Sequence, residues 1–181
     1  MLRGVTETTF QNLQLNEGAF LNAEYNGSTL TADQILSATR GGATLTIAPV
    51  YRTRNIDGVP ANTKEAKAID SVNVSASFVA LEITPELLKR ALGSADLAGN
   101  VLTPRHTIAT TDFADLYWVG DVSDGRRVQI TFKNAFNENG LTLRTQQNNE
   151  GELSMNFTGN YSVATLDTPP VEIKFFDAPT A

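Results

Sequence analysis

The amino-acid sequence predicts a mainly β protein, built as an antiparallel β-sandwich or barrel-like fold with one flanking α-helix. Apolar and polar residues alternate along residues 152–161, as they do in a strand with one buried face. Helical signals are confined to one segment, about residues 84–93. Turn-forming pairs recur at the short intervals typical of sandwiches and barrels, at Asp124-Gly125, Asn139-Gly140 and Glu150-Gly151.

Length and composition limit the possible functions. The 181 residues suit a single domain, 1–181, which is long enough to bury a core. The chain holds no cysteine, which excludes disulfides and thiolate chemistry, and a formal charge of −6 argues against tight binding to nucleic acid. No window approaches the roughly 18 apolar residues of a membrane span. Residues 1–20 lack the apolar core of a signal peptide, so we expect a protein made in the cytoplasm.

Two polar segments are expected to lie outside the compact core. The first is an N-terminal arm, about residues 1–20, which is rich in Thr, Asn and Gln. The second is a long charged loop, about residues 52–70, with a glycine and a proline in its middle. Loops of this length are usually functional or mobile. Between the two segments, Gly41-Gly42 is predicted to begin a strand after a turn.

The next strand is predicted around residues 71–83. Apolar residues occupy every second position up to Phe78, and the apolar set then moves to the opposite parity at Val79, Leu81 and Ile83. Because one extra residue in a strand reverses the side to which its side chains point, the sequence predicts a β-bulge near Phe78.

The single helix has recognisable signals at both ends. Thr84 is a suitable N-cap, Pro85 fits the first helical position, and Gly93 closes the helix. Lys89 and Arg90 are expected on the exposed side near the C-terminal end, where they complement the helix dipole. The apolar stripe that should dock the helix on a sheet consists of Leu87, Leu88, Ala91 and Leu92.

Residues 116–136 are predicted to form a β-hairpin. A two-residue turn at Asp124-Gly125 places Val119 opposite Ile130 and Tyr117 opposite Phe132. This register puts Trp118 on the opposite, less buried face, although core packing remains its expected role. The predicted core face of the hairpin consists of Tyr117, Val119, Val128, Ile130 and Phe132.

The sequence contains no recognisable catalytic, cofactor-binding or metal-binding constellation. His106 is the only histidine, which excludes sites built on two or three imidazoles, and it is expected in a surface loop. Four aspartates close together in sequence fit a carboxylate pair for glycoside hydrolysis in principle, but turns and strand ends explain them better. They are Asp112, Asp115, Asp121 and Asp124.

Several short motifs follow one another along the chain: "TRGGAT", "RNIDGV", "ITPELLKRALG", "WVGDVSDG" with the following "KNA", and "FTGNY". Their order and spacing resemble the tail tube protein (major tail protein) of long-tailed phages that infect Gram-positive bacteria. The resemblance covers about residues 36–176.

The resemblance implies a tail tube fold, hexameric rings of this chain that stack into a hollow tube, and no enzymatic activity. It implies a location in the virion tail and synthesis in the cytoplasm of the bacterial host. It also implies a tape measure protein, a tail terminator and distal tail proteins as partners, with DNA passing through the lumen without specific binding. Residues 1–15 are expected to reach a neighbouring copy. The residues expected to set the register of successive rings are Arg52, Arg54, Asp57, Lys64, Glu65, Lys67 and Asp70.

Two other function classes remain open from the sequence. A monomeric carbohydrate-binding β-sandwich module would need exposed aromatic side chains, and Trp118 with Tyr117 and Phe132 are the candidates. The tube component of a contractile injection device shares much of the fold class and would differ in its partners.

Overall fold

Ten strands and one α-helix make up the part of the chain that the structure describes. The structure is a computed structural model, and it describes residues 13–28, 30–60 and 62–177, together with Thr9 and Gln11. The elements are β1 (Gln14–Leu21), β2 (Thr39–Thr53), β3 (Lys67–Ala80), α1 (Pro85–Leu92), β4 (Ala95–Ala98), β5 (Val101–Pro104), β6 (Ala114–Val122), β7 (Arg127–Asn137), β8 (Thr142–Arg144), β9 (Glu152–Thr158) and β10 (Val171–Phe176).

Eight of the strands form two layers that share β7, and β4 pairs with β5 in a separate two-stranded sheet. The main hydrogen-bonded path runs β1-β6-β7-β9-β3-β2, with β10 added to β7 and β8 added to β9, and every pairing is antiparallel. Residues 127–132 of β7 pair with β10, whereas Phe136 and Asn137 pair with β9. The first sheet therefore contains β1, β6, β7 and β10, and the second contains β2, β3, β8 and β9. The prediction of a mainly β, antiparallel fold with one helix is confirmed.

Helix α1 begins and ends where its sequence signals predict. The Thr84 hydroxyl accepts a hydrogen bond from the Leu87 backbone N–H at 3.2 Å, and Pro85 is the first helical residue. Gly93, with φ of 74°, ends the helix and donates its N–H to the Lys89 and Arg90 carbonyls. Leu87 is fully buried against the sheets.

The core lies between the two sheets and under α1. Its largest members are buried aromatic and aliphatic side chains, and burying each contributes about 1.5–3 kcal/mol. Phe20 stacks on Phe78 with ring centroids 3.9 Å apart. The core residues include Phe20, Val74, Phe78, Leu87, Leu116, Trp118, Phe132, Leu153, Met155 and Phe157.

The predicted register of the β6–β7 hairpin is wrong by one residue. The turn has three residues rather than two, because the Val122 N–H donates to the Arg126 carbonyl at 2.9 Å across it. Gly125 takes a φ of 88°, which is typical of a three-residue turn closed by a bulge. Trp118 therefore pairs with Ile130 and lies in the core.

The same shift moves Tyr117 and Val119 away from the main core. They face a second, smaller cluster with Leu21 and Tyr25, which the segment between β1 and β2 covers. The buried Gln129 side chain accepts a hydrogen bond there from the Tyr25 N–H at 2.8 Å. Both faces of the first sheet are thus partly buried.

The prediction of a bulge in β3 near Phe78 is wrong. Burial alternates from Asn73 to Ala80, so β3 itself is regular at Phe78. The register shift falls in β2 between Arg40 and Ala43, where Gly41 and Gly42 both have positive φ. The two glycines therefore form a bulge inside β2 instead of beginning the strand.

Strands occupy part of both segments that were predicted to lie outside the core. Residues 14–21 form β1 and pair with β6, so the predicted arm of about residues 1–20 is a strand in its second part. The first part of the arm lies outside the described residues, apart from Thr9 and Gln11. In the predicted loop of about residues 52–70, β2 continues to Thr53 and β3 begins at Lys67.

The expected exposure of Arg90 is wrong. Its guanidinium donates to the Asp115 carbonyl at 2.8 Å and lies 6.0 Å from the centroid of the Phe157 ring. Burial lowers the pKa of Arg90. The side chain thus ties α1 to the start of β6.

Candidate assembly surface

The end of the β2–β3 hairpin extends beyond the buried core. We call residues 50–70 the distal hairpin. Tyr51 pairs with Ile69 and Thr53 with Lys67, so the two strands continue as a ladder for several residues after burial has ended. A register shift beside Val50 leaves Asp70 between the paired residues Ile69 and Ser71.

The distal hairpin exposes large apolar side chains. Tyr51 is 65% exposed and Ile69 60% exposed, and the two lie opposite each other on one face of the ladder. Ile56 and Val59, in the connecting loop, are exposed as well. Tyr51 and Ile69 together form a small exposed apolar patch, which makes this face a candidate interaction site.

The loop between the two strands is held by turns. The Arg54 N–H donates to the Ala66 carbonyl at 2.8 Å, which closes the base of the loop. Further turns form where the Val59 N–H meets the Ile56 carbonyl at 3.1 Å and where Thr63 bonds Pro60. These hydrogen bonds present the apolar side chains on a defined backbone.

The charged residues predicted as assembly contacts all lie on the distal hairpin. Arg52 and Asp70 form an ion pair with Nε and Oδ1 3.4 Å apart, and Lys64 and Glu65 form another at 3.4 Å. Lys67 donates to the Thr53 hydroxyl at 3.0 Å. Exposed pairs of this kind are worth about 0–1 kcal/mol, so a neighbouring molecule can replace them at little cost.

Arg54 and Asp57 have no ion-pair partner among the described residues. Both are exposed, and Asp57 lies in the turn at the tip of the loop. The structure therefore brings four of the seven predicted residues together as two ion pairs and leaves Arg54 and Asp57 open to solvent.

The outer face of the second sheet is polar and uncharged along two rows, unlike the apolar and charged distal hairpin. It carries two rows of uncharged hydroxyl and amide side chains that run across β2, β3 and β9. The first row is Thr44, Ser77 and Asn156, and the second is Thr46, Ser75 and Thr158.

A charged cluster that the sequence did not reveal borders this face. Arg40, at the start of β2, forms ion pairs with Glu150 and Glu152. The Arg40 guanidinium lowers the pKa of Glu150, and the two carboxylates raise the pKa of Arg40. The spacing of more than a hundred residues between the partners hides this cluster from sequence inspection.

The aspartates considered for acid–base chemistry have structural partners. Asp115 accepts a hydrogen bond from the Asn134 N–H at 2.9 Å. Asp112 accepts from the Ala109 N–H at 2.8 Å and pairs with Arg105. Because these carboxylates already bind backbone or guanidinium groups, their positions are explained by local structure.

The two aspartates at the β6–β7 turn are held in the same way. Asp121 pairs with Arg127 at 3.0 Å. The Arg126 backbone N–H, which donates to the Asp124 carboxylate, is the main cause that lowers the pKa of Asp124. Both side chains thus fix the hairpin register.

Two further candidates from the sequence do not form a binding site. Trp118 is 7% exposed and packs between Gly18 and Gly120, so it offers no stacking platform to a sugar. His106 is exposed in a loop. Among the described residues, no group of three or more His, Asp or Glu side chains is placed to hold a metal ion. No helix in that part of the chain is long and apolar enough to cross a membrane.

The chain matches no protein-family model, and no curated protein matches it.

Proposed function

We propose that this chain is a structural virion protein that assembles into stacked hexameric rings and so forms a phage tail tube, the conduit for genome delivery. The observation that carries the proposal is the distal hairpin, an ordered projection with exposed apolar side chains beyond the core. The sequence resemblance to tail tube proteins supports the same function. The tube component of a contractile injection device would use the same surfaces with other partners.

Stacking of rings requires a projection on one face that fits a different surface on the next ring. The distal hairpin provides apolar area at Tyr51 and Ile69 and charges of both signs beside it. Burying the apolar side chains supplies free energy, and the charges select the register. The charged residues from Arg52 to Asp70 are thus proposed contacts between rings.

A conduit for DNA needs a wall that does not hold phosphate. The uncharged rows on the outer face of the second sheet have this chemistry, because hydroxyl and amide groups offer no cations to the DNA backbone. We assign this face to the lumen. The tape measure, tail terminator and distal tail proteins are proposed partners that act at the inside and at the ends of the tube.

The distal hairpin can be tested by making its apolar pair polar. In the double variant Tyr51→Ser, Ile69→Ser, we expect tubes to be lost while the melting temperature of the monomer stays close to that of the wild type, because both side chains are exposed. Val163→Ser is the matched control, since Val163 is 90% exposed outside the distal hairpin. Electron microscopy and sedimentation measure the assembly. Tubes of normal length in the double variant would refute the role of the hairpin.

A further inference from the structure

Strand β10 lies at one edge of the first sheet, and its outer side is unpaired among the described residues. It hydrogen-bonds to β7 on one side, and no other described strand pairs with it. Ile173 is 50% exposed and Phe175 67% exposed, on the face of β10 that continues the core side of the sheet. An exposed apolar edge strand is a template for pairing with another strand.

The hydrogen bonds to β7 determine which backbone groups of β10 are free. The Lys133 N–H donates to the Pro170 carbonyl at 2.9 Å, so these two residues oppose each other as a hydrogen-bonded pair. Hydrogen-bonded and non-hydrogen-bonded pairs alternate along an antiparallel ladder. The residues whose backbone groups point to the free edge are therefore Val171, Ile173 and Phe175.

These three residues restrict how a second copy of β10 can pair in antiparallel orientation. A two-fold axis at Ile173 places Ile173 opposite itself and Val171 opposite Phe175 of the second copy, so free backbone groups meet free backbone groups. The same register places Glu172 opposite Lys174 in both directions. Each residue thus faces a complementary one.

The two neighbouring registers are unfavourable. Shifting the axis to Glu172 places that carboxylate opposite its own copy, and shifting it to Lys174 places two ammonium groups together. Like charges directly opposite on a sheet are destabilising, whereas opposite charges are favourable by about 0.2–1 kcal/mol for each pair. The sequence of β10 is therefore self-complementary in one register.

We propose that the chain forms a two-fold dimer in which β10 pairs with β10 of a second copy about an axis at Ile173. The contact is isologous, whereas the contacts within a ring of six copies are heterologous, so this dimer is distinct from the proposed ring. It rests on β10 alone and does not depend on the proposed function. Because the contact is short, the dimer is weak and depends on concentration.

The ion pairs that Glu172 and Lys174 make within one copy leave both side chains partly exposed. Lys174 lies 3.4 Å from Glu172 and also pairs with Glu24, and Glu172 lies 3.2 Å from Lys133. The Glu172 and Lys174 side chains remain 41% and 40% exposed. Each can therefore accept a further partner of opposite charge across the free edge.

Charge exchange between two variants tests the register. Sedimentation velocity is measured up to about 1 mM, the weak end of the usual affinity range, for the wild type, Glu172→Lys, Lys174→Glu and an equimolar mixture of the two variants. We expect the wild type to dimerise and each variant alone to dimerise at least about tenfold more weakly. In the mixture, the Glu172→Lys chain carries lysine at positions 172 and 174, and the Lys174→Glu chain carries glutamate at both. Every charged pair across the contact then joins opposite charges, so dimers should return. Glu138→Lys, at an exposed site outside β10, should behave as the wild type does.

Other results would overturn the proposal. A wild-type chain that stays monomeric, or that passes directly into rings without dimers, would show that β10 does not pair. Dimers that persist in both single variants, or that fail to return in the mixture, would show that another surface or register is used. Thermal melting of each variant checks that it is folded, and slower amide exchange at Ile173 with rising concentration is the expected direct sign of pairing.

Discussion

At the scale of single residues, a few side chains decide where strands bend. β7 crosses from one sheet to the other near Asn134, which has a φ of 49°. The Asp115 carboxylate binds the Asn134 N–H, and the side chains of Asn134 and Asn160 donate to each other's backbone carbonyls at 3.0 Å. These bonds satisfy backbone groups that the bend removes from the ladder.

Removing the Asp115 carboxylate should destabilise this bend. In Asp115→Ala the Asn134 N–H loses its acceptor, and we expect the free energy of unfolding to fall by about 1–3 kcal/mol. Asp115→Asn keeps an oxygen acceptor and should lose less. Urea denaturation measures both values. Equal losses in the two variants would mean that the hydrogen bond is not the cause.

The position of Trp118 depends on a glycine beside it. A Cβ at residue 120 would lie 2.4 Å from the Trp118 ring, so Gly120→Ala forces the ring or the strand to move. We expect this variant to lose about 1–3 kcal/mol of stability in urea denaturation. Gly151→Ala is the matched control, because its Cβ would make only ordinary contacts of 3.7 Å or more. A neutral Gly120→Ala would contradict this packing.

The Arg40 cluster should make stability depend on pH. The hydrogen bond from Arg40 holds the pKa of Glu150 below its ordinary value of 4.5 in the folded state, so the ion pair stabilises the fold above about pH 4.5 and loses this effect as the pH falls through the folded-state pKa. We expect the melting temperature of the wild type to fall on acidification below pH 4.5. Glu150→Gln should show a smaller fall over the same range. An identical pH profile for the two proteins would exclude this contribution.

At the scale of elements, local sequence signals predict where the helix begins and ends, but they do not predict the register in which strands pair. The limits of α1 follow from Thr84, Pro85 and Gly93, which act within one turn of the helix. The register of β6 and β7 depends on whether the turn has two or three residues, and an Asp-Gly pair is compatible with both. The prediction of a bulge near Phe78 in β3 is wrong because the apolar residues that suggested it do not face the core: Val79 lies on the other face of a regular strand, and Ile83 is 53% exposed beyond its end.

The docking of α1 can be measured with two neighbouring leucines. Leu87 is 1% exposed, whereas Leu88 is only partly buried against the core. We expect Leu87→Ala to cost about 2–5 kcal/mol and Leu88→Ala distinctly less, because the cavity is larger at the fully buried site. Chemical denaturation gives both values. A larger loss at Leu88 would mean that the helix docks with another face.

At the scale of the whole molecule, composition predicts the charged part of the candidate surface and not its apolar part. The charge-rich segment of residues 52–70 predicts contact residues there, and their role in assembly stays a prediction. The apolar pair Tyr51 and Ile69 was missed, because strands with these residues usually bury them. Only the length of the β2–β3 ladder beyond the core shows that they are exposed.

The ion pair on the distal hairpin should affect assembly more than folding. For Arg52→Glu we expect shorter or fewer tubes, since a second negative charge then lies beside Asp70 in the proposed ring-to-ring contact. Folding stability should change by no more than about 1 kcal/mol. Arg144→Glu, at an exposed arginine on β8, is the matched control. Tube lengths are measured in electron micrographs. If both variants form tubes as long and as numerous as those of the wild type, the prediction is wrong.

The most direct test of the proposed tube is electron microscopy of the purified protein in negative stain, as its concentration is raised at moderate salt. We predict rings with six-fold symmetry that stack into hollow tubes. Particles that stay monomeric or two-fold dimeric across the whole concentration range would contradict the proposed function.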